Sequence, residues 1–244
     1  AQVVSVLPRA EFGSVTEAIV QVQLALGLCV LYPIDRAMDP NYPDTLTGGA
    51  FILTPASLYE QAGTHRAVAG EVVEDLALGR NLKAAGGKVR VVRTTTLMHC
   101  RMYEGWADLW EGLTKNAFAG LQYRLGLTLG FLVAVLLANI LPPAYLLLGM
   151  IGMARGDRPV LAAAVVGLAC LTLAVQGWIM DSVRRALLLP WWYALTLPVG
   201  SAIYSVLIVA SVLHYYRGGN RWKGRAYRRA EPVTPPTDTT ARDT

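Results

Sequence analysis

The chain has 244 residues, of which 54% are hydrophobic and only 16% charged, against about 25% charged in a soluble domain. Together with a mean hydropathy of +0.39, this excludes a purely soluble protein, a disordered chain and a disulfide scaffold. The formal net charge of +5 is a tail property: residues 1–125 carry −1, residues 126–213 +2 and residues 214–244 +4. The first segment has no regular basic and aromatic stripe, so no nucleic-acid partner is expected.

In chain order, Val3–Leu7 reads as a buried strand closed by Pro8. No basic and apolar leader precedes it, so no signal peptide is expected. Ser14 or Thr16 caps a predicted helix over 15–31, whose apolar run is too short to span a bilayer. It reads equally as an amphipathic surface helix or an ordinary core helix. Residues 33–47 read as a loop. Gly48-Gly49 opens a strand over 50–53, and a short helix follows at 55–62. Residues 64–70 read as loop, and Val73 to Ala85 as a helix stopped by Gly86-Gly87. Val89–Val92 reads as a strand, with Thr94–Met98 extending it or pairing nearby. Tyr103–Gly120 reads as an amphipathic helix suited to a membrane interface by its tryptophans.

The remainder is apolar. No Asp, Glu, Lys or Arg lies between Arg124 and Arg155, between Arg158 and Asp181, or between Arg185 and Arg217. A spanning helix needs about 20 apolar residues, so membrane helices are expected at about 126–154, 159–180 and 187–213. Pro142-Pro143 is expected to break the first into a re-entrant pair, leaving the 155–158 loop on the same side as both ends of the chain. Residues 214–230 form a basic segment drawn to anionic lipid, and residues 231–244 read as disordered. Cys29, Cys100 and Cys170 lack metal or disulfide spacing. They are expected to be reduced, with Cys170 a small core residue.

Five groups of residues are candidates for chemistry. Glu74 and Asp75 begin a helix, where carboxylates stabilise the positive end or serve as a general base. Gly48 and Gly49 form a plain turn or admit a substrate to the backbone. His99 is structural, or else ligates a metal or contacts phosphate. Arg101 and Lys115 snorkel or bind a diphosphate. Trp106 and Trp110 mark the interfacial helix.

The order of these motifs resembles the second half of membrane-bound family 2 glycosyltransferases, particularly the hopanoid- and carotenoid-associated members. The residues that carry the resemblance are Asp39-Pro40, Thr47 to Leu53 (TGGAFIL), Gly70 to Arg80 (GEVVEDLALGR), Arg101-Met102-Tyr103, Gly105-Trp106, Leu109 to Asn116 (LWEGLTKN) and Trp222 to Arg225 (WKGR). The resemblance implies an α/β fold: a partial GT-A domain over residues 1–125, followed by a multi-pass helical membrane region. It implies Asp75 as the base that deprotonates the acceptor, with Glu74 supporting it. Gly48, Gly49, Arg101, Trp106, Trp110 and Lys115 would contact substrate. No Gln-x-x-Arg-Trp string occurs, which speaks against processive polymer synthesis.

The implied donor is a nucleotide-diphospho-sugar, the cofactor a divalent metal (Mg or Mn), and the acceptor a membrane lipid at the cytoplasmic face of the inner membrane. No Asp-x-Asp metal motif occurs in the chain, so no metal ligand is assigned here. The donor-binding half, and with it full activity, is expected to lie upstream in a longer parent. The alternative is a non-catalytic accessory or scaffold protein of the membrane. A transporter is a weaker reading, because no ionisable residue falls mid-span.

Overall fold

A computed structural model describes residues 2–156 and 158–217, with the backbone of residues 221–222 and 225–226. The chain is mostly helical, with a small sheet and three helices long and apolar enough to cross a membrane. Most of the basic segment and all of residues 231–244 lie outside the described residues.

Strand β1 (Val3–Leu7) is the centre of the sheet. It runs parallel to β4 (Val89–Arg93) and antiparallel to β3 (Ile52–Leu53). Past Pro8 the parallel pairing resumes as β2 (Arg9–Ala10) with β5 (His99–Cys100). The expected Thr94–Met98 strand is absent. The Thr94 hydroxyl instead accepts the amides of Thr96 and Leu97 and turns the chain toward β5.

Helix α1 (Val15–Leu31) starts where expected, with the Ser14 hydroxyl accepting the Glu17 amide. The loop at 33–47 contains a short helix, α2 (Ile34–Met38). It is tied to the core by buried Lys83, whose ammonium donates to the carbonyls of Ala37 and Asp44, each at 2.9 Å. Helix α3 (Ala56–Gln61) and a 3-10 turn (His65–Val68) lead to α4 (Glu74–Ala84). Gly86, at φ +87°, ends α4 by donating to Lys83, while Gly87 donates to Leu82; these are the two hydrogen bonds of a Schellman end. Val3, Leu58, Leu78, Leu82 and Val89 form the core between the sheet and α4. Burial of each large side chain contributes about 1.5–3 kcal/mol.

Residue 125 is not a packing boundary. Helix α5 (Gly105–Gly120) and α1 both pack along α9 (Leu197–Tyr216), and Val20, Leu109, Leu113, Leu207 and Ile208 share one buried cluster. Helix α1 is therefore a core helix joining the sheet to the apolar helices.

The proline pair does not fold the first apolar stretch back on itself. Helices α6 (Leu125–Val135) and α7 (Leu141–Arg155) join through a π-helical segment, Leu136–Ile140, into one helical run of 31 residues. Pro142 and Pro143 sit in the first turn after that segment, where a missing amide is tolerated. Gly156, at φ +72°, turns the chain into α8 (Pro159–Ala186), which packs back along α7. Cys170 faces outward on α8 rather than into a core.

The third apolar stretch, Trp191–Tyr216, is also long and apolar enough to cross a membrane. Ser201, in the second turn of α9, pairs with Asn139 in the middle of the 31-residue run. From there α9 descends antiparallel to α6. Ser211 accepts the Phe118 amide and Tyr215 stacks on Tyr123, with ring centroids 4.8 Å apart. The lower end of α9 therefore lies beside the start of α6, and the Gly156 turn lies at the far end of the α7–α8 hairpin.

Candidate functional site

The site forms where the sheet edge meets the start of α4. The Thr47 hydroxyl donates to the Asp75 carbonyl at 2.5 Å, and the Ser5 hydroxyl accepts the Gly48 amide at 2.9 Å. Asp75 then holds two amides: Oδ2 accepts Gly49 N–H at 2.9 Å and Oδ1 accepts Leu76 N–H at 2.8 Å. Burial pushes the Asp75 carboxyl above its ordinary range, against these amides and with a smaller push from Glu74.

Gly79 is the residue that spacing alone did not single out. A Cβ there would fall 2.2 Å from the Thr47 hydroxyl and 2.6 Å from Thr45 Cγ2. Its missing side chain lets the 45–49 segment lie against α4 and brings Gly49 to Asp75. The signal was present in the sequence, as the one glycine inside the predicted helix.

Asp75 opens onto a cavity of about 370 Å³. Its lining includes Gly48, Gly49, Val73 and Leu76 around the site, Leu24 and Leu28 of α1, Leu113 and Ala117 of α5, and Phe131, Leu187, Tyr204 and Ile208 from the apolar stretches. Among the described residues, Asp75 is the one charged side chain in this wall. The cavity therefore joins a carboxylate to helices of membrane-spanning length through an almost wholly apolar passage.

The other predicted residues divide. Glu74 is exposed and outside the cavity wall. Lys115 is half-buried on α5 and lies in the field of both Glu74 and Asp75; burial pulls its ammonium below the ordinary range and the two carboxylates oppose this. Trp106 is exposed and Trp110 partly buried, their rings 5.7 Å apart, and neither lines the cavity. His99 pairs with Glu11 at 3.1 Å.

Arg101 is engaged elsewhere. Its guanidinium donates to Glu17, with Nη2 to Oε1 at 3.1 Å and Nε to Oε2 at 3.4 Å. Glu17, 2% exposed, also accepts the amides of Gly13 and Gly105. The Arg101 hydrogen bond, ahead of all other causes, holds the Glu17 carboxyl below its ordinary range. Arg101 thus fastens the start of α5 to the start of α1.

Among the described residues, no three His, Cys, Asp or Glu side chains converge into a metal cradle. The divalent ion implied by the resemblance has no ligand set among them. Compared with family models, with curated proteins and with solved structures, the chain finds no match.

Proposed function

We propose that this chain carries the acceptor side of a membrane-bound glycosyltransferase that moves a sugar from a nucleotide-diphospho-sugar to the hydroxyl of an uncharged membrane lipid. The carrying observation is Asp75, alone as a charge in an apolar cavity that ends among helices of spanning length. A lipid chain suits such a wall. A phosphate-bearing head does not, because it would meet a carboxylate with no cation in the lining.

In the proposed step Asp75 takes the proton from the lipid hydroxyl as its oxygen attacks the anomeric carbon. The bond from that carbon to the diphosphate breaks, the nucleoside diphosphate leaves, and the configuration inverts. The raised carboxyl favours this role, since a base nearer the working pH is the more effective one. Lys115 would moderate the charge of the acidic pair.

On this reading the protein is multi-pass and resides in the inner membrane. The sheet, the cavity mouth and the lower end of α9 share one side, and the basic residues that follow α9 assign that side to the cytoplasm. The Gly156 turn then lies outside, which replaces the re-entrant arrangement expected from Pro142-Pro143.

The decisive experiment is transfer to membrane lipids by the full-length protein carrying Asp75→Asn. Loss of transfer with intact folding, partly restored by Asp75→Glu, is the expected result. Wild-type transfer by Asp75→Asn would remove the base assignment. A native protein with no transferase activity toward lipids would favour the accessory or scaffold reading.

A further inference from the structure

A glycine inside a helix costs stability, because its backbone loses more freedom on folding than that of alanine. Gly79, Gly149 and Gly200, each buried in a helix, have a steric reason to be glycine. A Cβ on Gly149 would fall 2.8 Å from Val166 Cγ2, one on Gly200 2.7 Å from Gln23 Nε2, and one on Gly79 against Thr47. Gly27, buried in α1, has no such reason. Among the described residues, nothing beyond the helix's own backbone stands within 4 Å of where its Cβ would be. Val20, Leu24 and Leu31 share its face by helical spacing, and they pack in the cluster with α5 and α9. Gly27 therefore points inward, and a buried position with empty space before it opens on a hollow. That hollow is the cavity, whose lining includes Gly27 together with Leu24, Leu28 and Leu31.

The α1 wall of the cavity is thus leucine on either side of a recess. A straight polymethylene chain lying against those leucines leaves the recess void, and the lining there forfeits its dispersion contacts. A chain with a substituent at that point fills it. We infer that Gly27 is a specificity-determining residue, which selects an uncharged lipid alcohol carrying a methyl branch or larger substituent where its chain passes α1. This inference rests on the acceptor reading of the cavity.

The test is photolabelling of the full-length protein in lipid nanodiscs. The probes are hexadecanol with a terminal diazirine and its methyl-branched counterparts, with the branch moved stepwise along the chain. At one branch position, labelling of cavity peptides should exceed that by hexadecanol about fourfold, the size of one buried methylene. Gly27→Ala fills the recess from the protein side. It should remove the branch preference and keep hexadecanol labelling. It should also raise the melting temperature, because alanine is the better helix former. The inference is overturned if no branched alcohol exceeds hexadecanol in the wild type, or if the preference survives Gly27→Ala. A lower melting temperature in that variant would show the space to be filled and overturn it too. Hexadecanol labelling without a branch preference ends the selectivity alone. Absence of cavity labelling by every alcohol ends the acceptor reading with it.

Discussion

Glu17 stands in the first turn of α1 and Asp75 in the first turn of α4, so both carboxylates meet the positive end of a helix. Their surroundings then part. Glu17 is saturated: two backbone amides and the Arg101 guanidinium occupy its oxygens. Asp75 accepts two amides and has a cavity in front of it. The first is held below its ordinary range by a partner, the second raised above it by burial. A carboxylate whose lone pairs are all spoken for builds structure; one that keeps acceptor capacity facing open space is equipped to take a proton.

The comparison breaks most directly on activity. Asp75→Asn should lower transfer by about 10²–10⁴-fold, the range for a general base, while shifting unfolding by less than about 1 kcal/mol. Glu17→Ala should do the converse. It strands the Gly13 and Gly105 amides and unpairs Arg101, which should cost about 3 kcal/mol in urea unfolding of the detergent-solubilised protein. Equal stability losses in the two variants would erase the distinction.

Gly79→Ala probes the link between packing and chemistry. Overpacking against Thr47 should cost about 2 kcal/mol, and the displaced Gly49 amide should loosen Asp75, so transfer falls along with the melting temperature.

The smallest effect is in pH, where the two acids act with opposite sign. The Glu17 contribution is fully present above its ordinary value of 4.5 and is lost as pH falls through the lower value of the folded protein. The Asp75 contribution is present below its ordinary value of 3.8 and is lost as pH rises through the higher folded value. Asp75→Asn should therefore steepen the loss of stability on acidification, and Glu17→Gln should flatten it. The same raised value should place the acid limb of the rate profile above the ordinary carboxylate range, and Asp75→Asn should leave no activity to titrate.

Local order was largely legible in the chain. Val3–Leu7, the Ser14 cap, the start of α4 and its Gly86-Gly87 end all follow from alternation, capping and glycine chemistry within a few residues. The proline pair misled because local rules forecast a break, whereas the π-helical turn before it absorbs the missing amides. What sequence spacing could not give were the partners far apart in the chain. Arg101 finds Glu17 across 84 residues, Lys83 finds Ala37 across 46, and Ser201 bonds Gln23 across 178. Arg101 and Lys115 looked alike among their aromatic neighbours, and only tertiary packing sent one to Glu17 and the other toward the acidic pair. The cavity joins β-strand, loop and four long helices, so no single segment announced it.

The last helix has a consequence for how the molecule is made. Tyr204 and Ile208 complete the cavity wall but leave the ribosome some 130 residues after Asp75. At about 5–20 residues per second, that is an interval on the order of ten seconds. During it the sheet and α4 are already synthesised while the apolar flank of α1 and α5 stands uncovered. The membrane insertion machinery would receive a half-built pocket, and termination anywhere before residue 197 would retain the carboxylate yet leave the passage around it unsealed.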